Sequence, residues 1–185
     1  MRVPAILVVV CLAAATAHAA PTPATPQKTI DSLFDSLKRA QSPEEAKPIE
    51  EQIGVLFLES GSASVDLLMT RGTSALTNGD NDTARKIFTS VTEIAPNYAE
   101  GWHQRAQLEV AANNDGGAMV SLQRVLTLNP REYKAMAELA GMLEDYGDKA
   151  AALKLYRRAL ALDPQLEEVG KHVKALQTEV EGQGI

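Results

Sequence analysis

Residues 99–130 read AEGWHQRAQLEVAANNDGGAMVSLQRVLTLNP, and this stretch decides the fold because similar stretches precede and follow it. Three series of residues recur at intervals of 34: Pro96, Pro130 and Pro164; Ala84, Ala118 and Ala152; Phe88, Leu122 and Tyr156. A fixed period of this length is typical of helical-repeat proteins, in which each unit buries its apolar face against its neighbours. The spacing therefore predicts three successive units of two helices each.

Each recurring position has a packing role. The alanine series lies where the second helix of a unit approaches the first, and a large side chain there would overpack the contact by about 1–3 kcal/mol. The prolines end the second helix, because the residue before a proline disfavours the helical conformation. A matching series of small residues is expected on the first helix: Gly72, Ala106 and Ala140. Turn and N-cap chemistry separates the two helices at Asn78-Gly79-Asp80, Asn113-Asn114-Asp115 and Gly147-Asp148.

This pattern resembles the tetratricopeptide repeat (TPR), with units at 65–98, 99–132 and 133–166. The resemblance implies an all-α fold, a right-handed superhelical α-solenoid of three helix pairs. It also implies a binding scaffold without chemistry of its own. One departure from the family pattern is Glu109, which stands where an aromatic residue is usual.

Helical segments flank the repeats on both sides. Residues 29–60 carry an apolar face and a Ser42-x-x-Glu45 capping box, and predict an N-terminal helical hairpin. We expect this hairpin to cap the solenoid, since terminal units need a partner or a polar face; a docking surface for another protein is the alternative. Residues 167–181 predict a C-terminal capping helix, with a short coiled coil as the alternative.

The first 28 residues are interpreted as an export signal and a spacer. Residues 1–19 combine Arg2, an apolar run and the small-x-small sequence Ala17-His18-Ala19, which predicts a signal peptide cleaved after Ala19. An uncleaved anchor or a lipoprotein built on Cys11 is a weaker reading, because the apolar run is short and the residue before Cys11 is Val10. Residues 20–28 are rich in proline and predict a flexible leader. Cleavage would remove the one cysteine, and the expected location is the periplasm.

Composition and motif content narrow the classes of function. The formal net charge of -6 leaves no basic excess to bind a phosphate backbone, so we expect no nucleic-acid partner. No metal-ligand or phosphate-loop motif occurs, and nothing places a nucleophile beside a base. We therefore expect no enzyme activity, no cofactor, no metal and no stable membrane insertion after signal cleavage. His103 is expected to be a solvated groove residue.

The resemblance also implies where a ligand would bind. In the family, one face of the first helix of each unit lines a concave groove that holds peptides or helices. Carried over to this sequence, that face includes Met69, Thr73, His103, Gln104, Gln107, Lys134 and Glu138. Only Lys134 matches the basic clamp that some members use for acidic chaperone tails. The expected ligand is a segment with apolar and basic residues.

Three functions remain open on the sequence. The leading one is a periplasmic scaffold or adaptor that holds a peptide or helix of a partner protein in its concave groove. The second is a self-associating envelope assembly protein, and the third is a glycan or small-molecule binder of the envelope. The identity of the partner and the oligomeric state are not encoded in any motif.

Overall fold

The computed structural model describes residues 26–182, and this part of the chain is helical throughout with no β-strand. Short turns join the helices. Their bounds are α1 Pro26–Leu37, α2 Pro43–Leu58, α3 Ala63–Thr77, α4 Asn81–Ile94, α5 Ala99–Ala111, α6 Asp115–Leu128, α7 Tyr133–Asp145, α8 Lys149–Leu162 and α9 Glu167–Glu181.

The three repeat units are the pairs α3–α4, α5–α6 and α7–α8, as the 34-residue period predicts. Ala84, Ala118 and Ala152 are each 0% exposed, which confirms that the alanine series lies at the contact between paired helices. The residues of the third recurring series are also buried: Phe88, Leu122 and Tyr156. An all-α repeat fold is therefore what the structure has.

Gly72 shows how tight the contact between paired helices is. A Cβ atom placed on Gly72 would lie 2.5 Å from Cε1 of Phe88, whose side chain is fully buried. Such a distance is below any real carbon contact, so the ring would have to move within a close-packed interior. Even the Cβ of alanine would clash here, so this position of the first unit favours glycine.

The turns within the units use the predicted capping residues. Asp80 accepts a hydrogen bond from the Thr83 N–H, and Asp148 accepts one from the Ala151 N–H. Asn114, from the predicted turn Asn113-Asn114-Asp115, caps α6 by accepting from the Gly117 N–H. These bonds satisfy backbone donors that the first turn of a helix leaves free.

Glu109 replaces the usual aromatic residue with a buried polar link. Its side chain is 10% exposed and accepts hydrogen bonds from Ser121 Oγ at 2.7 Å and from Arg105 Nε at 3.0 Å. Because both oxygens have partners, the carboxylate is tolerated between α5 and α6.

The N-terminal hairpin packs against the second half of the solenoid, so the expected cap over the first unit is wrong. Phe34, Leu37 and Ile53 are buried in one apolar cluster with Tyr133 and Met136 of α7. The apolar cluster of the first unit is built instead from α3, α4 and one residue of α5, and within residues 29–182 it includes no hairpin side chain. Apolar burial is non-directional, so the apolar face of the hairpin can be buried against α7 as well as against the first unit.

Polar contacts reinforce this position of the hairpin. Arg131, in the turn before α7, bonds Asp31 of α1 at 2.6 Å and lies over the Phe34 ring, 4.8 Å from its centroid. Gln165, in the turn after α8, donates to the Ala40 carbonyl at 2.7 Å. The hairpin therefore spans the turns on both sides of the third unit.

The first unit keeps an open end as a result. Leu67 on α3 is 50% exposed. The equivalent positions of the second and third units, Gly101 and Ala135, are buried against the preceding unit. The opposite end is covered by α9, whose Val169 and Leu176 are buried against the third unit. The apolar face of α9 is thus buried within the chain, and a coiled coil would need that same face.

The start of the described chain differs slightly from the predicted boundary. The helix α1 begins at Pro26 rather than Thr29, since proline is accommodated in the first turn of a helix. Residues 26–28 are thus helical and do not belong to the flexible leader that the sequence predicts over 20–28. The predicted signal peptide 1–19 and the rest of the leader lie outside the described residues. None of the helices in the described range is both long and apolar enough to cross a membrane.

Candidate functional site

The predicted groove residues all line a row of three adjoining cavities. The first cavity, about 590 Å³, is lined by α3 residues including Met69 and Thr73. The second, about 560 Å³, is lined by Thr73, His103, Gln104, Gln107 and Lys134 among others. The third, about 360 Å³, includes Gln107 and Glu138.

Neighbouring cavities share lining residues, and we call the row of three the channel. Thr73 lies between the first and second cavities, and Gln107 lies between the second and third. Both side chains are exposed, whereas Met69 is nearly buried and belongs to the apolar cluster of the first unit. The channel thus crosses the first helices of all three units, as a concave repeat face would.

His103 is not the solvated residue that the sequence suggested. It is only 6% exposed, and its Nε2 lies 3.0 Å and 3.1 Å from the two carboxylate oxygens of Glu138. Its Nδ1 lies 3.5 Å from Glu100 Oε2. Glu100 lies three residues earlier on α5, so that contact is local, whereas Glu138 comes from α7, a contact between helices that no local pattern predicts.

The two carboxylates set the charge of this imidazole. Burial by itself favours the neutral ring, but the hydrogen bonds that the protonated ring donates to Glu100 and Glu138 outweigh it and raise the pKa of His103 to about 10. His103 is therefore a cation at neutral pH. Because both ring nitrogens bond carboxylates, neither is free to exchange a proton with a substrate.

Glu132 is a buried acid beside this cluster that sequence reasoning missed. It is the N-cap residue of α7 and accepts a hydrogen bond from Asn129 Nδ2 at 3.4 Å. Burial raises the pKa of Glu132 to about 7, although the charge of His103 acts in the opposite direction. A glutamate in a turn after a proline resembles a solvated residue, so the sequence carries no signal for its burial.

The hairpin contributes residues to the site that the repeat pattern could not supply. Glu51, Gly54, Val55 and Leu58 of α2 line the second cavity opposite α5 and the start of α7. The Leu58 carbonyl accepts a hydrogen bond from Tyr98 Oη at 2.8 Å. One wall of the channel is thus formed by α2.

The described residues include no cluster of three or more His, Cys, Asp or Glu side chains arranged to hold a metal ion. The carboxylate of Glu100 instead bonds neighbouring side chains: it accepts from Gln104 Nε2 at 2.7 Å and lies 3.5 Å from His103 Nδ1. The arrangement suits polar and ionic recognition of a ligand.

A sequence comparison identifies the family. A TPR repeat-containing protein of Rhizobium etli is 30% identical over 158 residues, which span 85% of this chain and 78% of that protein. The chain belongs to the TPR proteins. No family model matches it.

Solved structures share the fold of this TPR protein at lower identity. The first TPR domain of Spaghetti (RPAP3), bound to the HSP90 peptide SRMEEVD, is 19% identical and aligns with a TM-score of 0.57 over 63% of this chain and 93% of that one. The Yersinia enterocolitica type III secretion chaperone SycD, in complex with a peptide of the translocator YopD, is 17% identical with a TM-score of 0.58 over 64% and 95%. MamA protein is 16% identical with a TM-score of 0.57 over 85% and 84%.

Proposed function

We propose that this TPR protein is a non-enzymatic interaction scaffold that holds a peptide or helix of a partner protein in its concave channel. The observation that carries the proposal is the row of adjoining cavities across α3, α5 and α7, lined by exposed polar side chains such as Thr73 and Gln107. Grooves of this kind recognise extended or helical segments of other proteins. The peptide complexes of RPAP3 and SycD support the same mode of action.

A scaffold role is favoured over catalysis by the chemistry of the channel. The imidazole of His103 is enclosed by two carboxylates, so it lacks a free nitrogen for general acid–base work. Most of the structural neighbours are TPR adaptor domains. One neighbour belongs to an O-GlcNAc transferase, but the aligned part covers only 22% of that chain.

Site-specific photo-crosslinking in the native host tests the groove. The reactive residue replaces Gln107, which is exposed inside the channel, and in a matched control it replaces Gln123, which is exposed on α6. The same protein partner should be captured from Gln107 and not from Gln123. Equal capture from both positions, or capture from Gln123 alone, would contradict the proposal.

We also propose that the protein is exported and acts in the periplasm. The support is the sequence of residues 1–19, with its basic start, apolar run and Ala17-His18-Ala19 cleavage pattern. Cell fractionation followed by N-terminal sequencing tests this directly. A periplasmic chain that starts at Ala20 is expected, and a cytosolic chain that retains Arg2 would refute it.

A further inference from the structure

The channel has two walls of different origin, and the second wall is α2. Ile53 of this helix is 1% exposed and packs in the apolar cluster that contains Tyr133. Phe34 of α1 meets the Tyr133 ring edge-on, with 6.3 Å between centroids. Several large side chains are buried at this contact, which fixes α2 as a wall of the channel.

The exposed part of α2 forms an aliphatic lip along the channel. Val55 is 60% exposed and Leu58 is 50% exposed, and both line the second cavity. Gly54 lies between Glu51 and Val55 in the sequence. A Cβ atom added to Gly54 would have no neighbouring atom within 4 Å. The lip therefore presents apolar surface beside open space, where an aliphatic side chain of a ligand can be covered from water.

The remaining channel surface is acidic. The residues that line the three cavities include six carboxyl groups and two basic groups: Glu51, Asp66, Glu100, Glu132, Glu138 and Asp145 against His103 and Lys134. His103 is already bonded to Glu100 and Glu138, so it offers no free positive charge to a ligand. Among these lining residues, Lys134 is the one exposed cation.

From the lip and this charge pattern we infer that the channel binds a cationic, aliphatic segment of the partner. Its aliphatic side chains lie on Val55 and Leu58 of α2, and its lysine or arginine side chains face the exposed carboxylates of Glu51 and Asp145. This inference rests on the proposed groove function and narrows it to one ligand chemistry. An acidic segment such as SRMEEVD, which binds the RPAP3 domain, would be repelled here.

Fluorescence polarisation with two labelled, amidated peptides tests the charge preference. One probe is SRMEEVD and the other is SRMKKVK, which keeps the length and the apolar residues but reverses the acidic positions. We expect SRMKKVK to bind at least about tenfold more tightly at low salt and to weaken as salt is added. Equal or tighter binding of SRMEEVD, or no binding of either peptide up to about 1 mM, would overturn the inference.

Two matched pairs of variants locate the binding surface. Val55→Ser removes apolar surface from the lip, and Val120→Ser makes the same change at a 63% exposed valine of α6 outside the three cavities. Glu51→Gln removes a channel charge, and Glu93→Gln removes one from an exposed position of α4. Val55→Ser and Glu51→Gln should each weaken SRMKKVK by about threefold to tenfold, and the two controls should not.

The outcomes separate this inference from the proposed function. If Val55→Ser and Glu51→Gln bind SRMKKVK like the unchanged protein, the ligand does not use α2 and the inference fails. A partner crosslinked from Gln107 would then still support the groove function. A crosslinked segment without lysine or arginine would likewise overturn the cationic ligand and leave the scaffold role in place.

Discussion

The stability of this TPR protein should depend on the titration of Glu132. The carboxyl group lies at the start of α7 and is only 4% exposed. Burial raises its pKa from the ordinary 4.5 to about 7, while the nearby charge of His103 partly offsets the effect. The folded protein therefore binds this proton more tightly than the unfolded chain does.

The sign and size of the effect follow from that difference. Protonation of Glu132 stabilises the folded state, so its contribution is complete below about pH 4.5 and is lost as the pH rises through 7. Each pKa unit is worth about 1.4 kcal/mol. Ionisation of Glu132 should thus lower the free energy of unfolding by up to about 3 kcal/mol between pH 4.5 and pH 8.

Urea denaturation at pH 5 and pH 8 measures the effect in three proteins. Glu132→Gln replaces the acid with a neutral group of the same shape, and Glu93→Gln is the control at an exposed site. The raised pKa of His103 also makes the folded state less stable at higher pH, but all three proteins carry that group. Glu132→Gln should lose less stability between the two pH values than either other protein. The same loss in Glu132→Gln would refute the reasoning.

Three further substitutions test the packing and the channel. Phe34→Ala should lower the free energy of unfolding by about 3–5 kcal/mol, because it removes a buried ring between the hairpin and α7; a loss below about 1 kcal/mol in denaturant would argue against this docking. Ala118→Leu should destabilise the folded protein by about 1–3 kcal/mol through overpacking, whereas Ala111→Leu at an exposed position should not. Equal melting temperatures of these two variants would contradict the repeat register. Gln107→Arg should fold normally and weaken the binding of SRMKKVK, and unchanged affinity would place the ligand elsewhere.

Much of the repeat fold was predictable from the sequence because its determinants are local and periodic. The small residues at Ala84, Ala118 and Ala152 mark the contact within each unit, and the structure confirms their burial. The caps at Asp80 and Asp148 follow from short-range hydrogen bonding. Such features depend on residues a few positions apart, so they can be read without a tertiary model.

The candidate site was predictable only in outline. The pattern placed Gln104 and Gln107 on the channel-facing side of α5, where the structure has them. The burial of His103 between Glu100 and Glu138 was not predictable, because the two carboxylates approach from different turns of two helices. Whether a polar side chain faces water depends on what packs over it, and that is a property of the assembled chain.

The sequence by itself determined the helical segments, the register of the three TPR units and the negative net charge of the molecule. Only the tertiary structure decided where the N-terminal hairpin lies and that α2 forms a wall of the channel. An amphipathic helix specifies that its apolar face must be buried but not against which surface. Phe34 is buried against Tyr133, about a hundred residues further along the chain, and apolar burial is non-directional, so no local pattern specifies this partner.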